Sequence, residues 1–159
     1  MTSHTATIEW HRGSQPFLDN KYSRVHVWTF DGGATVDASS SPHVVRAPFS
    51  EPANVDPEEA YVAALSSCHM LWVLSIAAHR GFCVDCYRDE AVGHMARNES
   101  GKQWVSRVEL RPRITFSGSK LPDPAEIESV HHAAHAECFL ANSVRTEVIV
   151  CPPPVQSEP

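Results

Sequence analysis

Residues 60–78 carry no charged side chain, and this stretch constrains the fold of the sequence most. Residues 56–59, Asp-Pro-Glu-Glu, precede it and form a strong helix start, with an acidic N-cap, a proline at the first helical position and an acid placed to reach back to the cap. The pattern predicts a helix from residue 56 to about residue 80, ending at Gly81. The stretch contains three serines and a histidine, and it begins at a polar capping box typical of helices in water. We therefore expect the central helix of a soluble core or a dimer interface, not a membrane span.

The segments around this helix favour strands. β-Branched and aromatic residues alternate with polar ones over residues 5–12 and 22–30, and a glycine-containing turn leads into a third strand over residues 34–38. Residues 39–54 hold three prolines and several serines, which predicts a loop long enough to line a site.

Strands are also expected over residues 82–96 and 103–116, paired as one long hairpin, with a closing strand over 144–150. A second helix is predicted over residues 124–138 from its apolar spacing. The order β-β-β-α-β-β-α-β predicts an α+β fold with the helices on one face of antiparallel sheets.

Composition narrows the function classes. The 159 residues fit one domain, which we place at residues 1–151, and the proline-rich residues 152–159 are expected to be a disordered tail. The formal charge of −6 and the scattered basic residues argue against nucleic acid or an anionic membrane as a partner. The first thirty residues show no secretory signal pattern, so a cytoplasmic location is the expectation.

The five cysteines are the candidate chemical groups. Their odd number and wide spacing indicate free thiols, metal ligands or redox catalysts, although a helical cysteine such as Cys68 or Cys138 is most often a small buried hydrophobe. Cys83 and Cys86 have CxxC spacing, but residues three apart on a strand point to opposite faces, so we expect that they neither pair nor share a metal. Cys151 is expected to be an incidental thiol.

A histidine cluster supplies an alternative. His131 and His135 share a helix face that continues to Cys138, a spacing that could hold zinc with Cys68 or His69 as a fourth ligand. A third interpretation is a binding module whose apolar dimer groove carries small hydrophobic ligands without turnover.

Two motifs resemble those of a known family. Residues 56–60, Asp-Pro-Glu-Glu-Ala, run through an alanine-rich segment into Cys68, and residues 134–138, Ala-His-Ala-Glu-Cys, are followed by Asn-Ser-Val at 142–144. In order and spacing these are similar to the two motifs of the OsmC/Ohr family of thiol-dependent peroxidases, over residues 7–150. His69 stands where phenylalanine is common and Phe139 where proline is frequent, which indicates a divergent branch.

The resemblance implies roles for individual residues. Cys68 matches the thiolate that attacks a hydroperoxide, Cys138 the thiol that resolves it, and Glu58 the acid that orients an arginine beside the thiolate. Arg24 is the candidate for that arginine, with Arg12 or Arg46 as alternatives. A guanidinium there would favour the thiolate, which alone attacks peroxide, and would stabilise charge on the leaving oxygen.

The resemblance also implies partners. It implies an organic hydroperoxide as substrate, a dithiol such as a lipoyl group or a small thiol as reductant, neither cofactor nor metal, and an intertwined homodimer with active sites at the subunit interface. Ten residues of straight helix separate Glu58 from Cys68 by ~15 Å. Either the helix breaks near its start or the site takes residues from two chains.

Overall fold

The computed structural model describes residues 2–151 of the chain, and the predicted disordered tail, residues 152–159, lies outside the described residues. The chain divides into two compact units, one ending at Ala60 and the other beginning at Tyr61. The expectation of a single domain over residues 1–151 stays a prediction.

The first unit is built on the predicted antiparallel sheet. Its strands, in spatial order, are β1 (Ala6–Glu9), β2 (His26–Phe30) and β3 (Thr35–Ala38). Gly33 adopts a φ of 84° in the turn between the second and third strands, a conformation that favours glycine. The predicted loop after β3 returns to the sheet end through a bridge between Ala38 and Val55.

The central helix, α1 (Pro57–His79), starts where the sequence predicts. The Asp56 carboxylate accepts a hydrogen bond from the Glu59 backbone N–H at 2.8 Å, and the Glu59 carboxylate accepts one from the Asp56 N–H at 3.2 Å, which completes the reciprocal cap. Gly81, with a φ of 79°, ends the helix.

The predicted long hairpin of the second unit is divided in two. Its strands are β4 (Cys83–Asp89), β5 (Val92–Arg97), β6 (Gln103–Leu110) and β7 (Pro112–Ser117). β5 pairs with β6, whereas β4 pairs with β7 in a separate sheet. The break follows from two residues: the Arg111 N–H donates to the Asp89 carboxylate at 2.6 Å instead of joining a ladder, and Pro112 has no N–H to donate.

The C-terminal elements also depart from the prediction in detail. The second helix, α2 (Pro124–Glu137), ends with Cys138 as its C-cap, and a short 3₁₀ helix, η1 (Ala141–Ser143), follows. The closing strand, β8 (Glu147–Val150), therefore begins later than expected. It pairs with β6 in parallel, although only antiparallel sheets were expected.

One row of α1 side chains joins the two hydrophobic cores of the second unit. The buried residues of α1 are Leu65, His69, Val73 and Ala77. Leu65 packs with Val108 and Leu110, whereas Val73 and Ala77 pack in a second core. That second core also contains Phe82, Val130 and Ala134.

The opposite side of α1 is not covered within the single subunit. Leu71 is 60% exposed. By length and composition alone, α1 is the one helix among residues 2–151 that is long and apolar enough to cross a bilayer, a test that the core helix of a soluble protein also passes.

Gly93→Ala should destabilise the fold by about 1–3 kcal/mol, the usual cost of an overpacked contact. A Cβ at Gly93 would lie 2.6 Å from Cγ2 of Val62, a β-branched helical side chain with little freedom to move. Urea unfolding would measure the loss. Gly32→Ala is the matched control because nothing lies within 4 Å of its added Cβ. Equal stability of the two variants would contradict tight packing of α1 on β5.

Candidate active site

Cys68 and Cys138 lie side by side. Cys68 is on α1 and half-buried, whereas Cys138 caps the end of α2 and is 1% exposed. Both are free thiols. The pKa of Cys138 is raised, first by burial and then by contact with the Cys68 thiol. The arrangement therefore pairs an accessible sulfur with a buried one that stays protonated at neutral pH.

The backbone after α2 holds Cys138 in place. The Asn142 side-chain amide donates to the carbonyl oxygens of Ala136 at 2.8 Å and of Cys138 at 3.0 Å, and the Ala141 N–H donates to the Cys138 sulfur at 3.4 Å. Asn142 thus satisfies carbonyls that the end of the helix leaves free. The aromatic ring of Phe139 packs edge-on against Trp72 of α1, with centroids 5.5 Å apart.

A pair of histidines joins the same two helices. Nε2 of His69 and Nδ1 of His131 are 3.1 Å apart, and the rings are stacked within 9° of parallel. Burial lowers the pKa of His69 to about 4, with smaller contributions from His131 and His135. Burial also lowers the pKa of His131, against the opposing effect of Asp89. Both rings are therefore neutral at physiological pH.

The zinc interpretation is not supported by side-chain geometry. No group of three or more histidine, cysteine, aspartate or glutamate side chains within residues 2–151 is placed to hold a metal ion. His131 instead binds His69, and Cys138 contacts Cys68. The helical spacing that links His131, His135 and Cys138 does not bring their side chains to one point.

The expectation that Cys83 and Cys86 point to opposite faces of the strand is wrong, although both thiols are exposed and free. A bulge shifts the pairing register between Val84 and Cys86, so Cys83 lies opposite Ser117 and Cys86 opposite Thr115. The extra residue places both cysteines on the same, exposed face of the sheet. Cys151 is exposed as well.

A separate cleft in the first unit contains the predicted acid and arginine. It encloses about 510 Å³ and is lined by Ile8, Trp10, Phe17, Tyr22, Arg24, His26, Ser39, Ser40, Val44, Pro57 and Glu58. The rings of Trp10, Phe17 and Tyr22 pack against one another at 4.7–6.0 Å between centroids. Neither Arg12 nor Arg46 lines this cleft.

Arg24 is held by neutral groups. Its guanidinium donates to the backbone carbonyl of Asn20 at 3.1 Å, to the Asn20 side-chain oxygen at 2.7 Å and to the carbonyl of Tyr22. It also lies 3.8 Å from the centroid of the Tyr22 ring, a cation–π contact. Within residues 2–151, no ion pair joins Arg24 to Glu58, so the paired hydrogen bonds expected between them are absent from the single subunit.

α1 runs without interruption from Pro57 to His79. The first of the two alternatives posed by the sequence, a helix broken near its start, is therefore wrong. Because ten helical residues rise ~15 Å, Glu58 lies far from Cys68 of its own chain.

Three features were not predicted from the sequence. The motif included Asn142 without indicating that its amide clamps the end of α2. The sequence indicated His69 only as a departure from the family pattern and as a possible zinc ligand. The aromatic walls of the cleft come from positions scattered over residues 10–22, whose only sequence signal is their aromatic content.

Comparison with known proteins places the chain in a class. Residues 50–151 match the family model described as OsmC-like protein. An OsmC-like protein of unknown function from Vibrio cholerae is 54% identical, with a TM-score of 0.93 over 96% of this chain and 99% of the other. A search of curated proteins gave no significant match.

Two more distant structures share the fold. The organic hydroperoxide resistance protein of Elizabethkingia anophelis is 17% identical, with a TM-score of 0.67 over 96% of this chain and 94% of the other. The corresponding protein of Bacillus subtilis is also 17% identical, with a TM-score of 0.62 over 95% and 96%. The chain is an α+β protein in which two thiols from different helices lie together. It belongs to the OsmC-like family.

Proposed function

We propose that this protein is a thiol-dependent peroxidase that reduces organic hydroperoxides. The observation that carries the proposal is the contact between the accessible Cys68 and the buried Cys138 across α1 and α2. Distant structural relatives named organic hydroperoxide resistance proteins support this reaction class.

The two thiols take successive roles. The Cys68 thiolate attacks the outer peroxide oxygen, the O–O bond breaks, and the alcohol leaves with a proton while Cys68 becomes a sulfenic acid. The Cys138 sulfur then attacks the Cys68 sulfur and forms a disulfide, and the sulfenic oxygen leaves as water with the thiol proton. A dithiol such as a lipoyl group, or two small thiols, reduces the disulfide and is itself oxidised.

Arg24 and Glu58 supply the charge for the first step. The guanidinium favours the Cys68 thiolate and stabilises the leaving oxygen. Glu58 orients it by charge-assisted hydrogen bonds that form when the dimer completes the site, since residues 2–151 of the single subunit do not contain them. Membership of Arg24 in the cleft supports this assignment over Arg12 and Arg46. The apolar walls of the same cleft suit the organic group of a hydroperoxide.

The active unit is a homodimer. Because α1 is unbroken, Glu58 and Arg24 act on Cys68 of the partner subunit and not of their own chain. The uncovered face of α1 supports the same conclusion, since a helix with no charge between residues 60 and 78 leaves an apolar surface that a second copy would bury. That face contains Ala64, Ser67, Leu71, Ser75 and Ala78. We place this dimer in the cytoplasm, without nucleic acid or membrane as a partner.

Cys68→Ser should abolish consumption of cumene hydroperoxide in the presence of a dithiol, because the attacking sulfur is removed. Cys83→Ser and Cys86→Ser are matched controls on an exposed strand face and should keep activity within about a few-fold. Loss of peroxide followed by ferrous-iron oxidation would measure all three. Equal losses at Cys68 and Cys83 would show that the thiol pair is misassigned, and no consumption by the wild type would favour a non-catalytic binding protein.

Cys138→Ser should let Cys68 react once and then accumulate as sulfenic and sulfinic acid, since no neighbouring thiol traps the first product. Mass spectrometry of the peptide that contains Cys68 would detect the added oxygen. Turnover at the wild-type rate with a monothiol reductant would show that Cys138 is not needed for resolution.

Mixed dimers test whether each site uses two chains. Mixed dimers of one Arg24→Ala subunit and one Cys68→Ser subunit can be purified with a different affinity tag on each chain. They should recover about half of the wild-type activity, because one of their two sites combines an intact Arg24 from one chain with an intact Cys68 from the other. Dimers of Cys68→Ser with Cys138→Ser subunits are the matched control and should stay inactive, because each chain lacks one thiol of its own pair. No recovery in the first mixture, or a monomer at micromolar concentration, would refute the shared site.

A further inference from the structure

The hydrogen bond between His69 and His131 is the one buried side-chain hydrogen bond that joins α1 to α2 within residues 2–151. His69 is 1% exposed and His131 is 4% exposed. On α1, His69 occupies the row of side chains that otherwise carries Leu65, Val73 and Ala77. Burying two polar side chains in an apolar row costs free energy unless they are hydrogen-bonded, so the presence of this pair between the helices indicates a specific role.

The atoms left without a partner define how the pair shares its proton. Nδ1 of His69 is buried and has no hydrogen-bond partner. A bare nitrogen lone pair is tolerated there better than an unpaired N–H, so His69 carries its hydrogen on Nε2 and donates it to Nδ1 of His131. Neutral rings satisfy this arrangement. A second proton on His131 would set two donors against each other. One on His69 would keep the Nε2–H donor but bury a charge and an unpaired Nδ1–H, a cost that separation of the two helices relieves.

We propose that the His69–His131 pair is a positioning element that ties α2 to α1 so that Cys138 stays beside Cys68, and that it acts only while both rings are neutral. The proposal rests on the dithiol chemistry proposed above. His69 adjoins Cys68 in the chain, and His131 lies seven residues, or ~10 Å, before Cys138 on α2. Apolar contacts between the helices permit sliding, whereas a hydrogen bond of 3.1 Å fixes one register.

Register matters because a disulfide tolerates little error. Its two Cα atoms must lie within about 7 Å, and the Cβ atoms within about 4.5 Å. We call the His69–His131 hydrogen bond the tie. Its loss lets the helices shift and separates the two sulfurs, while the access of solvent to Cys68 does not change. Positioning is therefore expected to affect resolution and not the first attack on peroxide.

The groups that face the pair set its response to pH. His135 of α2 contributes to the low pKa of His69, and Asp89 of β4 acts in the opposite direction on His131. Tyr87 of β4 stays neutral because burial and Asp89 raise its pKa. The pKa of His69 is lowered from 6.5 to about 4. The tie is therefore complete when the pH is above the ordinary histidine pKa of 6.5, and it is lost as the pH falls through about 4.

Two substitutions at His69 separate position from charge. His69→Phe keeps a ring of similar size but cannot donate to His131. His69→Gln can donate from its amide near the place of Nε2 and does not titrate. His132→Phe, at an exposed position on α2, is the control for an added phenylalanine.

Diamide, which removes two hydrogens from a pair of thiols, gives a measure of geometry that needs no peroxidase activity. At pH 7, formation of the Cys68–Cys138 disulfide, followed by peptide mass, should slow at least tenfold in His69→Phe and stay near the wild-type rate in His69→Gln and His132→Phe. The ratio of wild-type to His69→Gln rates should be about 1 at pH 7 and about one half at pH 4, with circular dichroism to show that both are folded.

The same variants with one equivalent of cumene hydroperoxide link the tie to catalysis. His69→Phe should oxidise Cys68 at the wild-type rate but leave it as sulfenic and sulfinic acid. A wild-type diamide rate in His69→Phe would overturn the positioning role, and a pH-independent ratio would overturn its dependence on neutral rings. If peroxide does not oxidise Cys68 of the wild type but the diamide rates are as expected, the peroxidase function is refuted and the positioning role of the tie stands.

Discussion

The burial of one row of α1 side chains is the constraint around which the second unit is organised. Leu65 fills one core, Val73 and Ala77 fill the other, and His69 lies between them. Burying a leucine or valine side chain contributes about 1.5–3 kcal/mol, so this row fixes how the helix is rotated about its axis. That rotation decides whether the Cys68 sulfur faces α2. A rotation of 100°, the angle between successive helical residues, would move Cys68 into the position that His69 now holds.

The environments of the two thiols differ in a way that suits unequal tasks. Burial raises the pKa of Cys138, and the backbone N–H of Ala141 partly offsets this effect. In the proposed reaction, a thiol that stays protonated competes poorly for peroxide, while the more accessible neighbour meets the substrate first. The asymmetry arises from the position of each residue on its helix, since one is in the middle of α1 and the other caps the end of α2.

Local signals in the sequence were sufficient to predict the helices and strands, but they were less informative about how the strands pair and how the helices pack. The cap at Asp56 and the glycine at position 81 predicted α1 to within two residues, because both act on neighbouring backbone groups. The division of the long hairpin depends on the Asp89 side chain reaching Arg111, a contact across 22 positions that no periodicity reveals. The bulge after Val84 reversed the strand parity for a similar reason. The motifs indicated Cys68 and Cys138, but the buried partner of His69 lies 62 residues away and could not be inferred from spacing.

The parallel pairing of β8 with β6 has a consequence for the order in which the molecule is made. A parallel pair requires a crossover, and here the crossover consists of β7, α2 and η1, so it carries Cys138. During synthesis Cys68 leaves the ribosome about seventy residues before Cys138, and β8, which anchors the crossover, emerges later still. Contacts of such long sequence separation form slowly because loop closure must precede them. The nascent chain therefore holds Cys68 without its neighbour until α2 has been made.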